Sequence, residues 1–429
     1  MLALFLAYAA GRVISALPAL GKPRSLADTT AYLRISGQPL LDVHFWGSTR
    51  PLVFPLLLKI ADQNLRLTAA LQLGISILAW GVLALMVARS LRSGILRLCA
   101  FALLLAFSLD RHIAGWDFVM MTESLSVSSL ALFIATGLWL LEGWQTGKAV
   151  ACCAAGLLLA FTRDTNAWLL LMLGGLLALA VALHWTRPRA LILASFFAFT
   201  FILNNANADL GGRWVFPLGN LIGKRVLPDA AAVRFFEGCG MPVTPALMEL
   251  QGKYSNADDR DMYENPELAP FRSWLEADGK RCYMRWLVAH PIQSSLEAFQ
   301  QFDGLIAFSE VDKFFSRLYD PLMPVALGKF IYPESYSGGS LPGIPLLIWG
   351  LTTLAALWAV WKQRWRENSL WAAFVMLVIL IPPHIFLTWH GDAMAPERHA
   401  LSVGVQLYLS FWMGVLLIVN RRSVDQATP

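Results

Sequence analysis

The length of its apolar runs most constrains what this chain can fold into. Stretches near 20 residues, almost free of charge, recur from 2–20 to 399–420. A helix rises 1.5 Å per residue, so about 20 residues cross the roughly 30 Å of bilayer hydrocarbon. Composition supports a lipid solvent. The chain is 57% hydrophobic and 15% charged, with mean hydropathy +0.54, against about 45–50% apolar and about 25% charged in soluble domains. The expected fold is an all-α polytopic membrane protein. About ten transmembrane helices are expected, over 2–20, 66–88, 95–110, 122–141, 148–162, 166–184, 189–207, 342–361, 369–389 and 399–420. The N-terminus enters an apolar stretch without a charged leader region, which reads as a first membrane helix.

Basic residues orient the bundle. Arg89, Arg92, Arg97, Lys148, Arg187, Arg189, Lys362, Arg364, Arg366, Arg421 and Arg422 lie in one alternating set of short connections. The positive-inside bias puts that set in the cytoplasm. The net charge of +5 therefore follows topology and is no sign of nucleic acid. Segments 21–65, 111–121, 163–165, 208–341 and 390–398 then face outward. Trp46, Trp116, Trp168, Trp214 and Trp389 fall near that boundary, as an aromatic belt would. The expected localisation is a bacterial inner (plasma) membrane, multi-pass, with the outer loops in the periplasm.

Three regions follow: 1–207 as an N-terminal membrane module with outer loops, 208–341 as a large outer loop region, and 342–429 as the closing helices. Segment 21–65 reads as amphipathic pieces on the membrane surface, one of them capped by Ser25. Region 208–341 carries short helical stretches such as 243–254 and 267–278. It also holds Cys239 and Cys282, which an oxidising compartment would allow to bridge.

Ionisable residues avoid the helix interiors. Arg12 is the exception, free to pair with a carboxylate, to reach a lipid phosphate or to snorkel. Pro382-Pro383 marks one break in a helix. The polar groups gather instead at the outer ends: Asp28, Tyr32, Arg50, Asp117, Glu123, Arg163, Asp164, His390, Asp392, Glu397, Arg398 and His399. Each has an ordinary structural use. Asp28 follows a helix end, where capping is common. Tyr32, four residues on, shares its helical face. Glu123 suits the first turn of a helix that Thr122 or Ser124 would cap, and Asp117 competes for its role. Arg163 and Asp164 read equally as an interfacial pair. The spacing of His390 and His399 matches no strong metal motif. Taken together, however, carboxylates beside arginines provide a base for a hydroxyl and a planar, bidentate ligand for phosphate.

Several of these segments resemble the GT-C class of membrane glycosyltransferases, in particular the branch with protein O-mannosyltransferases and the lipid A aminoarabinose transferase. ADTTAYL resembles that family's acidic first-loop motif and carries its acceptor-directed acid to Asp28. STRPLVFPLLL carries over to Arg50, MTESLS to Glu123, and GDAMAPERHALS to Arg398 and His399. Thr29 stands where the mannosyltransferase branch has a second acid. The resemblance implies an inverting transferase that moves a sugar from a polyprenyl-phosphate donor to a glycan, lipid or protein acceptor. Asp28 and Glu123 would be catalytic. Tyr32, Arg50, Asp117, Arg163, Arg398 and His399 would bind substrate. No metal ligand is assigned and no cofactor is required, although a divalent metal is compatible. The alternative is a transporter or flippase of a lipid-linked substrate. It expects charge at mid-membrane, which this chain largely lacks.

Overall fold

The structure, a computed structural model, describes residues 1–255, 262, 264–307, 315, 318–333 and 343–425. Every expected apolar segment is helical, residue 342 lying outside the described residues. Eight helices are long and apolar enough to cross a membrane: Leu2–Leu20, Leu65–Arg89, Glu123–Leu141, Asp164–Ala182, Ala190–Leu210, Ile344–Trp361, Ser369–Gly391 and Leu401–Arg421. Gly94–Ser108 and Thr146–Thr162 are apolar but shorter. At 1.5 Å per residue they cover roughly 22–26 Å. Among the described residues the only strand-like feature is one isolated bridge, Arg24 to Val119. This is the architecture of an all-α polytopic membrane protein.

Local chemistry sets many helix boundaries. Asn64 caps Leu65–Arg89 by accepting from the Arg66 and Leu67 amides at 3.0 and 3.1 Å. Asn368 does the same for Ser369–Gly391 through the Leu370 amide, at 2.8 Å. Each satisfies orphan N–H groups of a first turn. Pro382 and Pro383 do not break their helix, contrary to expectation; it runs unbroken from Ser369 to Gly391. Ile381 and Ile385, on either side of the pair, are fully buried. Packing against neighbouring helices holds the helix where two amide donors are missing.

Arg12 is fully buried and takes the carboxylate option. Its guanidinium pairs with Asp117 and donates to the Tyr8 hydroxyl at 2.9 Å and to Ser76 Oγ at 3.2 Å. A second intramembrane polar contact was not visible in the sequence. His384 Nδ1 lies 2.8 Å from Gln406 Oε1, and Gln406 Nε2 donates to the Leu377 carbonyl at 2.7 Å. It joins the last two long helices. Asn204 also bonds between helices, donating to the Ala160 carbonyl at 3.1 Å.

The segment after Leu210 builds a second apolar core around Leu218, Phe236, Phe271, Trp274 and Trp286. A Cys239–Cys282 disulfide closes it, with Cα atoms 6.1 Å apart. The helix expected over 243–254 is shorter, only Pro245–Met248 being helical there. The 267–278 stretch is helical throughout, as a 3-10 turn at Pro266–Leu268, an α-helix at Ala269–Trp274 and a π-turn at Leu275–Gly279 that runs on into Lys280–Ala289. Trp116 is not at a lipid boundary; it is buried to 2% exposure beside the Arg12–Asp117 pair's loop.

Candidate functional site

Two loops distant in sequence are fastened together through their backbones. The Arg24 amide donates to the Phe118 carbonyl at 2.8 Å, and the Met120 amide to the Arg24 carbonyl at 2.9 Å. Thr29 Oγ1 then donates to the Met120 carbonyl at 3.0 Å and accepts from the Leu26 amide at 2.9 Å. Thr29 thus helps to start helix Ala27–Gly37, the start expected of Ser25, and holds it to the segment leading to Glu123. Nor do Thr122 or Ser124 cap the next helix. Thr122 makes no side-chain cap, and Ser124 donates to Asp117 at 2.6 Å.

The GSTRP segment is seated by a close backbone approach. Gly211, just past helix Ala190–Leu210, lies so near the Ser48 carbonyl that any Cβ there would collide with it. Ser48 Oγ donates to the Arg50 carbonyl at 2.9 Å. Helix Val53–Ile60 is tied back by Lys59, whose ammonium donates to the Ser36 and Gln38 carbonyls at 3.0 and 2.6 Å.

These restraints bring six of the expected residues into one ion cluster. Arg50 donates to Asp28 Oδ1 at 2.6 Å. Arg398 reaches Asp28 Oδ2 at 3.3 Å, and its Nε lies 3.2 Å from Glu123 Oε1. Arg163 donates to the same Glu123 oxygen at 2.5 Å. Arg398 therefore bridges the two carboxylates, at distances longer than the roughly 2.7–2.9 Å of a tight charge-assisted bond. Exposure grades across the cluster: Asp28 is 25% exposed and Glu123 1%. Asp28 forms the open side and Glu123 the floor. Two buried polar atoms of the cluster, Glu123 Oε2 and Arg50 Nε, have no hydrogen-bond partner among the described residues. Leaving such atoms unpaired costs about 1–3 kcal/mol each.

The local folds of the remaining members explain their placement. Arg163 is a single extended residue, φ −156°, between helices Thr146–Thr162 and Asp164–Ala182. Arg398 and His399 lie on the short turn Pro396–His399, which Ala395 enters in the left-handed region at φ 46°. Arg163 approaches His399 Nδ1 at 3.3 Å. A guanidinium only donates, so Nδ1 is the acceptor in this contact. Burial, then the charges of Arg163, Arg398 and Arg50, holds the His399 pKa well below 6.5, so the ring is neutral. Nε2 faces Asp392 Oδ2 at 4.0 Å.

Tyr32 lies against Phe54, edge to face, with ring centroids 5.0 Å apart. Burial pushes its pKa up to about 12, with Arg50, Glu123, Asp28 and Arg398 all close enough to act on it. It is a neutral phenol in the wall of the cluster. Asp117 is not brought there. Its carboxylate is 1% exposed and held by Arg12 and Ser124 in the bundle interior. Asp164 also leaves the cluster, pairing with Arg213 at 3.1 Å.

Asp392 ties the cluster's loop to the second core. It accepts from Asn220 Nδ2 at 3.1 Å and from the Met394 amide at 2.8 Å. Asn220 Oδ1 accepts in turn from Ser255. Burial raises the Asp392 pKa, and these donors oppose the rise. Tyr283 bonds to His390 Nδ1 at 2.9 Å, and Arg225 stacks over Trp389. Asn220, Arg225, Tyr283 and Arg213 were not anticipated, because nothing local distinguishes them from other residues of a polar loop. Among the described residues, no three His, Cys, Asp or Glu side chains are grouped to hold a metal ion.

Fold and cluster define a polytopic helical membrane protein with a polar site at one end of its bundle. Compared with protein-family models, curated proteins and solved structures, the chain matches none of them.

Proposed function

We propose that the chain is an inverting glycosyltransferase of GT-C type. It would take a sugar from a polyprenyl-phosphate donor and pass it to an acceptor hydroxyl at the periplasmic face of a bacterial inner membrane. The observation that carries this reading is the partly open Asp28, held between Arg50 and Arg398 beside a buried Glu123–Arg163 pair.

The reaction suits these groups. A donor phosphodiester carries one negative charge. The cluster has three guanidinium groups against two carboxylates, with His399 neutral, so the donor brings the assembly to neutrality. Arg398, held at the longest distances, is the group most readily turned from Asp28 to phosphate. That exchange frees Asp28 Oδ2 as a base, while Oδ1 stays with Arg50. Asp28 takes the acceptor hydroxyl proton while the acceptor oxygen bonds to the anomeric carbon. The bond from that carbon to the phosphate oxygen breaks, and its electron pair stays with the phosphate. The departing monoester gains a negative charge as Asp28 loses one, so the arginines stabilise the charge where it develops. Glu123 Oε2, unpartnered and buried, is placed to accept from a sugar hydroxyl.

The test is transfer in proteoliposomes from a panel of polyprenyl-phosphate sugars, with the product's anomeric configuration read by NMR. Inverted product that disappears in Asp28→Asn supports the reading. Lipid movement across the bilayer with no covalent product from any donor would favour the flippase instead.

A further inference from the structure

We propose a phosphate-binding site at the opposite, basic rim of the bundle. It would take the phosphate of an anionic membrane lipid or a free phosphate, and it is independent of the transferase reading. A cavity of about 170 Å³ lies there, lined by Arg92, Arg364, Arg421, Glu367, Asn368 and Asn420. At about 30 Å³ per water it has room for roughly five or six waters, enough for a phosphate and its first ester carbons. Trp371 and Leu417 close its inner wall and are 5% and 1% exposed.

Arginines at this rim are expected from topology alone, where they would spread along the headgroup layer. Here three converge on one cavity, and asparagines hold the segments that carry them. Asn420 Oδ1 accepts from the Arg92 amide at 3.0 Å, although the two residues are 328 apart in sequence. Asn368 Nδ2 donates to the Ser90 carbonyl at 2.7 Å, across 278 residues. Arg364 and Arg421 flank one ring, their guanidinium carbons 5.6 and 5.3 Å from the centre of Trp358. Among the described lining residues Glu367 is the only carboxylate, and Arg364 engages it at 2.7 and 2.8 Å. The described lining thus sets three guanidinium groups against one carboxylate. Arg364 Nε is buried and has no hydrogen-bond partner among the described residues. The 23-residue helix Ser369–Gly391 also starts here, adding the positive end of its dipole. Planar guanidinium donors suit phosphate oxygens better than they suit a carbonyl, and the arginines repel the cationic choline that a zwitterionic headgroup carries beside its phosphate.

The experiment follows thermal unfolding of the full chain in neutral detergent. Phosphatidylglycerol, phosphatidylcholine or inorganic phosphate is titrated in. Saturation near 100 times Kd is expected to raise the midpoint by about 3 °C for phosphatidylglycerol and not for phosphatidylcholine. Arg92→Gln and Arg421→Gln should each weaken affinity about tenfold, which roughly halves that shift at the same lipid concentration, with ligand-free midpoints showing that both fold. Arg189→Gln is the control, since Arg189 stacks on Trp144 in a different connection, and it should respond like the parent. An equal response to inorganic phosphate supports the site and makes free phosphate its source. Equal responses to both lipids, or a loss in Arg189→Gln as large as in Arg92→Gln, would overturn the proposal.

Discussion

Two conservative changes, Asp28→Asn and Glu123→Gln, separate the chemistry of the cluster from its structural cost. Glu123 is 1% exposed and receives Arg163 at 2.5 Å and Arg398 at 3.2 Å. Removing its charge leaves two guanidinium groups facing each other without their shared anion. Breaking a buried pair in this way costs about 3–5 kcal/mol. Unfolding entropy near 2.1 cal/mol/K per residue, over 429 residues, makes 1 kcal/mol worth about 1 °C. Glu123→Gln should therefore lower the midpoint by about 3–5 °C. Asp28 is 25% exposed and Arg50 30%. A pair that open contributes about 0–1 kcal/mol, so Asp28→Asn should shift the midpoint by about 1 °C at most. Its effect on rate should be far larger, roughly 10²- to 10⁴-fold, as for loss of a general base. Both variants would be assayed for transfer in proteoliposomes and for unfolding by tryptophan fluorescence. Asp28 is not the base if Asp28→Asn keeps more than a tenth of parental activity, or if Asp28→Asn loses activity and stability in the same proportion as Glu123→Gln.

Other consequences are testable in the same preparations. Arg398→Lys keeps the charge but loses the fork that spans Asp28 and Glu123; polyprenyl-phosphate affinity should fall about tenfold, measured by lipid competition. Cys239→Ser opens a loop of sequence separation 43 and should cost about 4 kcal/mol in the chain-entropy account, seen as proteolysis of the second core at lower denaturant. The His399 pKa is depressed in the folded state, so the unfolded chain binds its proton first. Stability should be flat above about pH 6.5 and fall below it by up to about 1.4 kcal/mol per pH unit, a slope that His399→Gln should reduce. Arg12→Leu strands Asp117 in the bundle and should cost about 3–5 kcal/mol, and Arg12→Leu combined with Asp117→Leu should recover much of that in a double-mutant cycle.

Much of the cluster was legible before the structure because a membrane simplifies geometry. Once apolar segments are set across a bilayer, their connections fall on two surfaces, and Asp28, Arg50, Glu123, Arg163, Arg398 and His399 all belong to one. Asp117 belongs to the same surface by topology, yet the 3-10 turn Gly115–Phe118 sends its side chain inward to Arg12. Side-chain direction in an irregular turn has no periodic signal. The partner of Arg12 lies 105 residues away, a distance at which local pattern says nothing. The helix expected over 243–254 was misjudged for a related reason: the chain leaves the helix after Met248 and turns at Gly252, φ 74°, whose amide donates to the remote Gly223 carbonyl at 2.8 Å.

The sequence alone determined that this chain enters a membrane, where its helices run, and which polar residues share each surface. Those properties depend on hydrophobicity summed along continuous segments. Only the tertiary structure decided which carboxylate meets which arginine, that His399 lies against Arg163, and that three rim arginines line one cavity. Those depend on a few hydrogen bonds between remote loops: Arg24 to Phe118, Thr29 to Met120 and Asn420 to Arg92. Each fixes positions to within an ångström, and charge pairing is decided on that scale.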